Sequence, residues 1–270
     1  MVALSTLARA VSVPALAGWK IVSTITFDGE AGKEVDKSAW EIMTNINFNN
    51  EVQEYTTSTD NMHLSGNGTL LIIPLKSETG EWTSARIESK ESFTPEDGKT
   101  TRYQGELRFG DSPQDKQQGI WPAFWMLGQS SRDKGVPWPE CGELDIMERK
   151  NGEPTGHGTP HCGTGDSCGG LTKSVPLDGN GWHTWAIEID RTNKKWEDQT
   201  ITWFLDDDEY NKIQGSDVQD EDTWKAIAHS PMYFILNVAV GGNWPGEPND
   251  KTADGMDNMM EVKYIAVYSK

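Results

Sequence analysis

Short apolar runs alternating with polar residues recur along this chain, and turn-forming residues separate them. A period of two marks a strand with one buried face. Ile21-Val22-Ser23-Thr24-Ile25-Thr26-Phe27 is β-branched, alternates, and ends in the turn Asp28-Gly29. Asn61 to Leu75 predicts a hairpin, with Gly66-Asn67-Gly68 between Met62-His63-Leu64 and Thr69-Leu70-Leu71-Ile72-Ile73. The alternating runs Trp82–Ser89 and Tyr103–Phe109 read as adjacent antiparallel strands, and 181–190 with 200–207 as a further pair. Met232–Gly242, apolar but for Asn237, reads as a buried strand, and Met260–Tyr268 is an alternating last strand. One short helix is expected at Trp224–Ile227, after the solvated charge run Asp217–Asp222. Many short strands with regularly spaced turns predict an all-β fold, a β-sandwich or jelly roll.

One stretch breaks the alternation. In Glu143-Leu144-Asp145-Ile146-Met147-Glu148, three acids sit among residues that otherwise spell a buried strand. Glu143 and Asp145 share a face, while simple counting sends Glu148 to the other, where an unpaired carboxylate costs several kcal/mol. A one-residue bulge at Ile146 or Met147 would return Glu148 to the face of Glu143 and Asp145. The two glutamates would then be about four strand steps apart, or ~13 Å between α-carbons. Leaning side chains from that distance can bring the carboxyls to the ~5–5.5 Å of a retaining glycosidase.

Other runs supply material for a groove. Gly119–Gly128 is the most aromatic run, and its face Trp121, Ala123, Trp125 either lines a sugar groove, with Phe124 and Met126 inward, or belongs wholly to the core. Asn45–Thr56 interleaves amides with aromatics; it reads either as a cleft edge that recognises hydroxyl groups or as an Asn-rich turn. His161 falls on what would be the strand next to the acidic one, which favours a role there over that of an ordinary hydrogen-bonded histidine.

With 270 residues and no linker, low-complexity tract or repeat, residues 19–270 are expected to form a single domain. The net charge of −18 argues against nucleic acid and anionic membranes as partners and suits a neutral substrate. Twelve tryptophans offer flat faces for sugar rings, although about half belong in a core. Residues 1–18 are small and apolar, and Ala15-Leu16-Ala17 resembles a signal-peptidase site. Arg9 interrupts the run, so a leader, a pro-segment and an ordinary first strand all fit. No other stretch approaches the ~20 apolar residues of a membrane span. Of the three cysteines, Cys162 and Cys168 flank a loop short enough for a disulfide, and a Cys141–Cys162 bridge is the alternative. Asn67-Gly68-Thr69 is an acceptor for N-glycosylation in a secreting host.

Acidic clusters also bind calcium, but calcium needs six to eight oxygens and usually sits in Asp/Asn/Gly loops. Carboxylates alternating with Leu, Ile and Met beside aromatic and amide-rich segments favour acid–base chemistry on a sugar. The run Glu143–Glu148 resembles the Glu-x-Asp-x-x-Glu signature of glycoside hydrolase family 16, with Met147 as the extra residue of its laminarinase-type members. Asn49-Asn50-Glu51, Thr83-Ser84-Ala85-Arg86, Gly119–Met126 and Gly241-Gly242-Asn243-Trp244-Pro245-Gly246 extend the resemblance from about Phe27 to Tyr268.

The resemblance implies a concanavalin A-like jelly roll with the signature strand in a concave cleft. It further implies Glu143 as nucleophile, Glu148 as general acid/base and Asp145 as the residue that hydrogen-bonds the nucleophile. Trp121, Trp125 and Trp138 match or neighbour aromatic subsites, His161 resembles the histidine after the signature, and Asn50, Glu51 and Arg86 are candidate sugar contacts. The expected activity is that of a secreted, monomeric, retaining endo-β-1,3-glucanase needing no cofactor, with mixed-linkage β-1,3-1,4-glucan as a second substrate. A non-catalytic β-glucan recognition module and a transglycosylase of the same fold are the alternatives. Many members hold a structural calcium through an Asp in the last strand. Lys263 stands there in this chain, so no metal is expected at that position.

Overall fold

The computed structural model describes residues 11–270. Two antiparallel sheets pack face to face, giving the expected jelly roll. The first has seven strands, in the spatial order Lys173–Pro176, Thr155–His161, Glu143–Glu148, Ile120–Gly128, Met232–Val240, Arg86–Ser89 and Trp40–Ile42. The second has eight: Asp208–Gln214, Thr200–Leu205, His183–Asp190, Thr100–Phe109, Met260–Ser269, Leu70–Ile72 and Met62–Leu64 in order, with Lys20–Thr26 also paired to Met260–Ser269. Gln53–Tyr55, Trp82–Ser84 and Leu75–Lys76 make a small third sheet.

The alternation read from the sequence becomes core on one side of each strand. Phe124, Met126, Leu144, Met147 and Phe234 from the first sheet meet Tyr103, Leu107, Trp185, Ile187 and Ile265 from the second in one buried cluster. Met232–Val240, buried at every position, runs through the middle of the first sheet, which explains why it is apolar throughout except at Asn237. The hairpin at 61–75 forms, with Met62 opposite Ile72 and Leu64 opposite Leu70, and Asn67 is exposed at its turn.

Two expectations change. The runs 82–89 and 103–109 are not neighbours: Arg86–Ser89 belongs to the first sheet and Thr100–Phe109 to the second. The turn residues between them carry the chain across the sandwich, and alternation within a strand cannot reveal which sheet the strand joins. The helix is longer than expected, Glu221–Ala228, because the Asp220 side chain accepts from the Thr223 N–H and caps its first turn.

Residues 1–10 of the expected leader lie outside the described residues. Its remainder packs on the outer face of the second sheet, where Val11, Val13 and Leu16 join Trp19 against Tyr264, Ala266 and Tyr268. Among the described residues no helix is long and apolar enough to cross a membrane.

Candidate active site

The bulge is present. Against Ile120–Gly128, Phe124 pairs with Met147 and Trp125 with Asp145, which leaves Ile146 unmatched. On the other side Asp145 faces Thr159 and Glu148 faces His157, so three steps oppose two. Leu144, Ile146 and Met147 are all fully buried in the core. Two successive residues turn inward, and Glu148 returns to the outer face with Glu143 and Asp145.

A bulge takes backbone carbonyls out of the ladder, and a buried carbonyl without a donor is costly. The second sheet supplies donors: the Trp203 indole N–H gives a hydrogen bond to the Asp145 carbonyl (2.8 Å), and the Tyr210 hydroxyl reaches that of Ile146 (3.4 Å). The neighbouring strand Thr155–His161 shows why its sequence is Gly-His-Gly-Thr-Pro-His. A Cβ at Gly156 would stand 2.1 Å from Trp185, and one at Gly158 2.4 Å from Trp203. Glycine at the inward positions admits these indoles, while His157, Thr159 and His161 alternate onto the face of the acids.

Several charged and aromatic groups converge there. His161 Nε2 lies 3.4 Å from Asp145 Oδ2 and 3.9 Å from Glu143 Oε1. The Trp121 indole N–H donates to Glu148 Oε1 at 3.0 Å. Burial pushes all three carboxyls above their ordinary range. For Glu143 the charges of Asp145 and Glu148 add to burial, while His161 and Arg86 oppose it. For Asp145 the charge of Asp166 adds to it. Glu148 is pushed up to about 8, by burial first and then by Asp145, against the hydrogen bond from Trp121. Three acids held this way share fewer than three negative charges near neutrality.

The aromatic run divides as the groove reading requires. Phe124 and Met126 are fully buried, and Trp121 and Trp125 are partly exposed on the face of the acids. The Trp125 indole N–H donates to Asn237 (2.7 Å), and its ring lies 4.8 Å from the Arg86 guanidinium. Arg86 is buried and bound to Glu88 at 2.7 Å, and Glu88 also binds Arg132 at 2.7 Å. Arg86 is thus first a support for Trp125 and a positive charge facing Glu143 and Glu51.

The amide-rich segment is both a turn and an edge. Asn49 and Asn50 have φ of 56° and 57°, a left-handed conformation that Asn tolerates. Asn50 Nδ2 donates to Asn243 Oδ1, and the Asn243 N–H donates to the Asn49 carbonyl, which fastens this loop to Gly241–Asn243. Glu51 accepts from Gln53 (2.6 Å) and Tyr55 (3.2 Å), and a Cβ at Gly242 would touch both Glu51 and Trp121. Trp138 is 54% exposed, with its ring centroid 5.5 Å from that of His161.

The structure also brings in residues that sequence reasoning did not single out. Trp244 packs edge-on to Trp121 (5.4 Å) and to His157 (5.0 Å). Exposed Phe48 lies 5.6 Å from Arg86, and Tyr55, Glu88 and Asn237 complete the supports. Trp244 stood within a flanking match and was legible there; Phe48 and Asn237 are joined to the site by contacts distant in sequence.

Cys162 and Cys168 form the disulfide, and Cys141 is a buried free thiol that burial pushes up to about 11. Glu143, Asp145 and His161 place donor atoms within 4.8 Å of one another, close enough for a cation in kind, but His161 already bridges the two acids. At the other position considered for a metal, Lys263 pairs with Glu106 and lies 4.6 Å over the Trp182 ring.

The model of the XgeA-like catalytic domain of glycoside hydrolase family 16 matches residues 53–201. The endo-1,3-β-glucanase of Streptomyces sioyaensis superposes with a TM-score of 0.88 at 34% identity, covering 96% of this chain and 99% of that one. A β-glucanase of Rhodothermus marinus is 29% identical over 93% of this chain and 85% of its own length. The endo-1,3-1,4-β-glycanase ExsH of Rhizobium meliloti is 32% identical over 70% of this chain and 34% of its own length. The chain belongs to glycoside hydrolase family 16.

Proposed function

We propose that the protein is a secreted, retaining endo-β-glucanase that hydrolyses β-1,3-glucan and also accepts mixed-linkage β-1,3-1,4-glucan. The observation that carries this reading is the bulge at Ile146, which sets Glu143, Asp145 and Glu148 on one face in an aromatic and amide-lined setting. The relatives named above act, by their names, on these two kinds of glucan. The Cys162–Cys168 disulfide supports an oxidising, extracytoplasmic compartment.

In this mechanism Glu148, kept protonated near neutrality by its burial, gives its proton to the glycosidic oxygen as Glu143 attacks the anomeric carbon. The C–O bond to the leaving sugar breaks, and a glycosyl ester forms on Glu143. Glu148, now an anion, takes a proton from water, whose oxygen displaces Glu143 and restores the configuration. Trp121 holds Glu148 in place through its indole N–H. Asp145 lies beside Glu143 on the same face, and burial and the charge of Asp166 push its carboxyl up. Trp121, Trp125 and Trp138 offer faces to successive glucosyl rings, and Asn50, Glu51, Arg86 and His161 border them.

Both acids of the signature are present, which weighs against a recognition module. The test is reducing-sugar release from laminarin and from barley β-glucan by wild type and Glu143→Gln. Release by wild type alone is expected; equal release by both would exclude Glu143 as nucleophile, and none by either would favour a binding module.

A further inference from the structure

His161 has a second partner that the proposed reaction has not used. Its Nδ1 lies 2.7 Å from Asp166 Oδ2, on the side of the ring opposite the acids. Asp166 sits inside the loop closed by the disulfide, between Cys162 and Cys168, whose side chains are both within the core. That loop is a chain of tight turns: Gly163, Gly165 and Asp166 have φ of 69°, 67° and 57°. The Asp166 N–H donates to the Gly163 carbonyl, the Gly169 N–H to the Asp166 carbonyl, and the Ser167 hydroxyl to the Cys162 carbonyl. Gly169 leaves room for the carboxylate, since a Cβ there would stand 2.4 Å from Asp166 Oδ2. Aspartate is one of the few non-glycine residues enriched at positive φ, although glycine carries less strain there. The Asp166 side chain is aimed inward at the imidazole, and its other oxygen, Oδ1, is buried without a partner.

An imidazole carries its neutral-state proton on one nitrogen, and the hydrogen bond made by one nitrogen decides what the other presents. A carboxylate at Nδ1 takes the N–H there and leaves the Nε2 lone pair facing Asp145 and Glu143. Nε2 then accepts from whichever acid holds the shared proton. Without Asp166, the proton is free to move to Nε2, and the ring would donate to the acids instead. The tilted ring of Trp138, 5.5 Å away, flanks the imidazole from the side.

The geometry points to Asp166 as a positioning residue of the hydrolytic site: held by the Cys162–Cys168 loop, it fixes the tautomer of His161 and so the side of His161 that meets Glu143 and Asp145. This rests on the proposed function for its kinetic consequence but not for its tautomer. The disulfide acquires a purpose in the site, because it holds both ends of the loop that delivers the carboxylate.

The test uses the full chain with ¹⁵N-labelled histidine, the His161 signals being assigned by their loss in His161→Asn. In wild type, at a pH where the imidazole is neutral, the Nδ1–H tautomer is expected. In Asp166→Ala the Nε2–H form becomes prominent, kcat on laminarin falls about tenfold, the worth of one charge-assisted hydrogen bond, and KM changes less than twofold. Asp166→Asn keeps an acceptor at the same place, so it restores the tautomer and most of kcat. Cys162→Ser/Cys168→Ser is expected to match Asp166→Ala. An unchanged tautomer in Asp166→Ala overturns the proposal, whatever its kinetics, and also decides the matter should the double variant not fold. A wild type with the Nδ1–H tautomer but no glucanase activity would sink the proposed function and leave the positioning of His161 intact.

Discussion

Replacing Glu148 by Gln should make the protein more stable and abolish its hydrolytic chemistry, and the gain in stability should depend on pH. Burial and the charge of Asp145 move Glu148 from an ordinary 4.5 to about 8. Below pH 4.5 the acid is protonated both folded and unfolded, and its contribution is intact. Between 4.5 and 8 the unfolded chain ionises while the folded one does not, so stability is lost as pH rises through this window, at about 1.4 kcal/mol per unit. The full loss for a dry site would approach ~5 kcal/mol, and the partial exposure of Glu148 reduces the part expected at pH 7 to about 2 kcal/mol. Glutamine has the same shape, can accept from the Trp121 N–H through its own oxygen, and does not titrate. Urea unfolding at pH 4, 5.5 and 7 should therefore show wild type and Glu148→Gln nearly equal at pH 4 and separated by about 2 kcal/mol at pH 7. A difference that stays constant across this range, or that favours wild type at pH 7, would refute the assignment of a raised pKa to Glu148. In the same window wild-type kcat should persist and then fall as pH passes through about 8, where the proton donor is lost.

Trp121→Phe keeps the ring but removes the N–H that opposes the upward shift of Glu148. Its alkaline limb should move to higher pH, with kcat lower by about tenfold, as read from pH–rate profiles. Glu88→Ala leaves the buried Arg86 without its carboxylate partner, facing the exposed Arg132, and should cost about 3–5 kcal/mol in urea unfolding. Trp138→Ala, at a site 54% exposed, should leave stability within about 0.5 kcal/mol but raise KM for long laminarin chains about fivefold.

The common face of the three acids was legible in the sequence because a bulge was the only economical way to reconcile Glu148 with Leu144, Ile146 and Met147. The split of Trp121 and Trp125 from Phe124 and Met126 followed from period two in the same way. What could not be read was the partner across the fold. Arg86 was read as a candidate sugar contact; the sequence did not show that its guanidinium also meets Trp125 and Phe48, which lie on other segments. Asp166 lies in the loop between Cys162 and Cys168, and only the fold brings it to His161. Alternation records burial and says nothing of which sheet a strand joins, hence the misplaced neighbours 82–89 and 103–109.

The hydrogen bonds from Trp203 and Tyr210 to the bulged carbonyls reach the acidic strand from behind, through the core. The spacing of the acids is therefore set by the interior, while the loops that border the open face hold the rings and amides. This is a division of labour: the interior holds the acids at their spacing, and the loops 44–51 and 243–250 carry Phe48, Asn50 and Trp244 on the open face. A substitution at Trp203, by contrast, has no contact with sugar and would still be felt at the scissile bond.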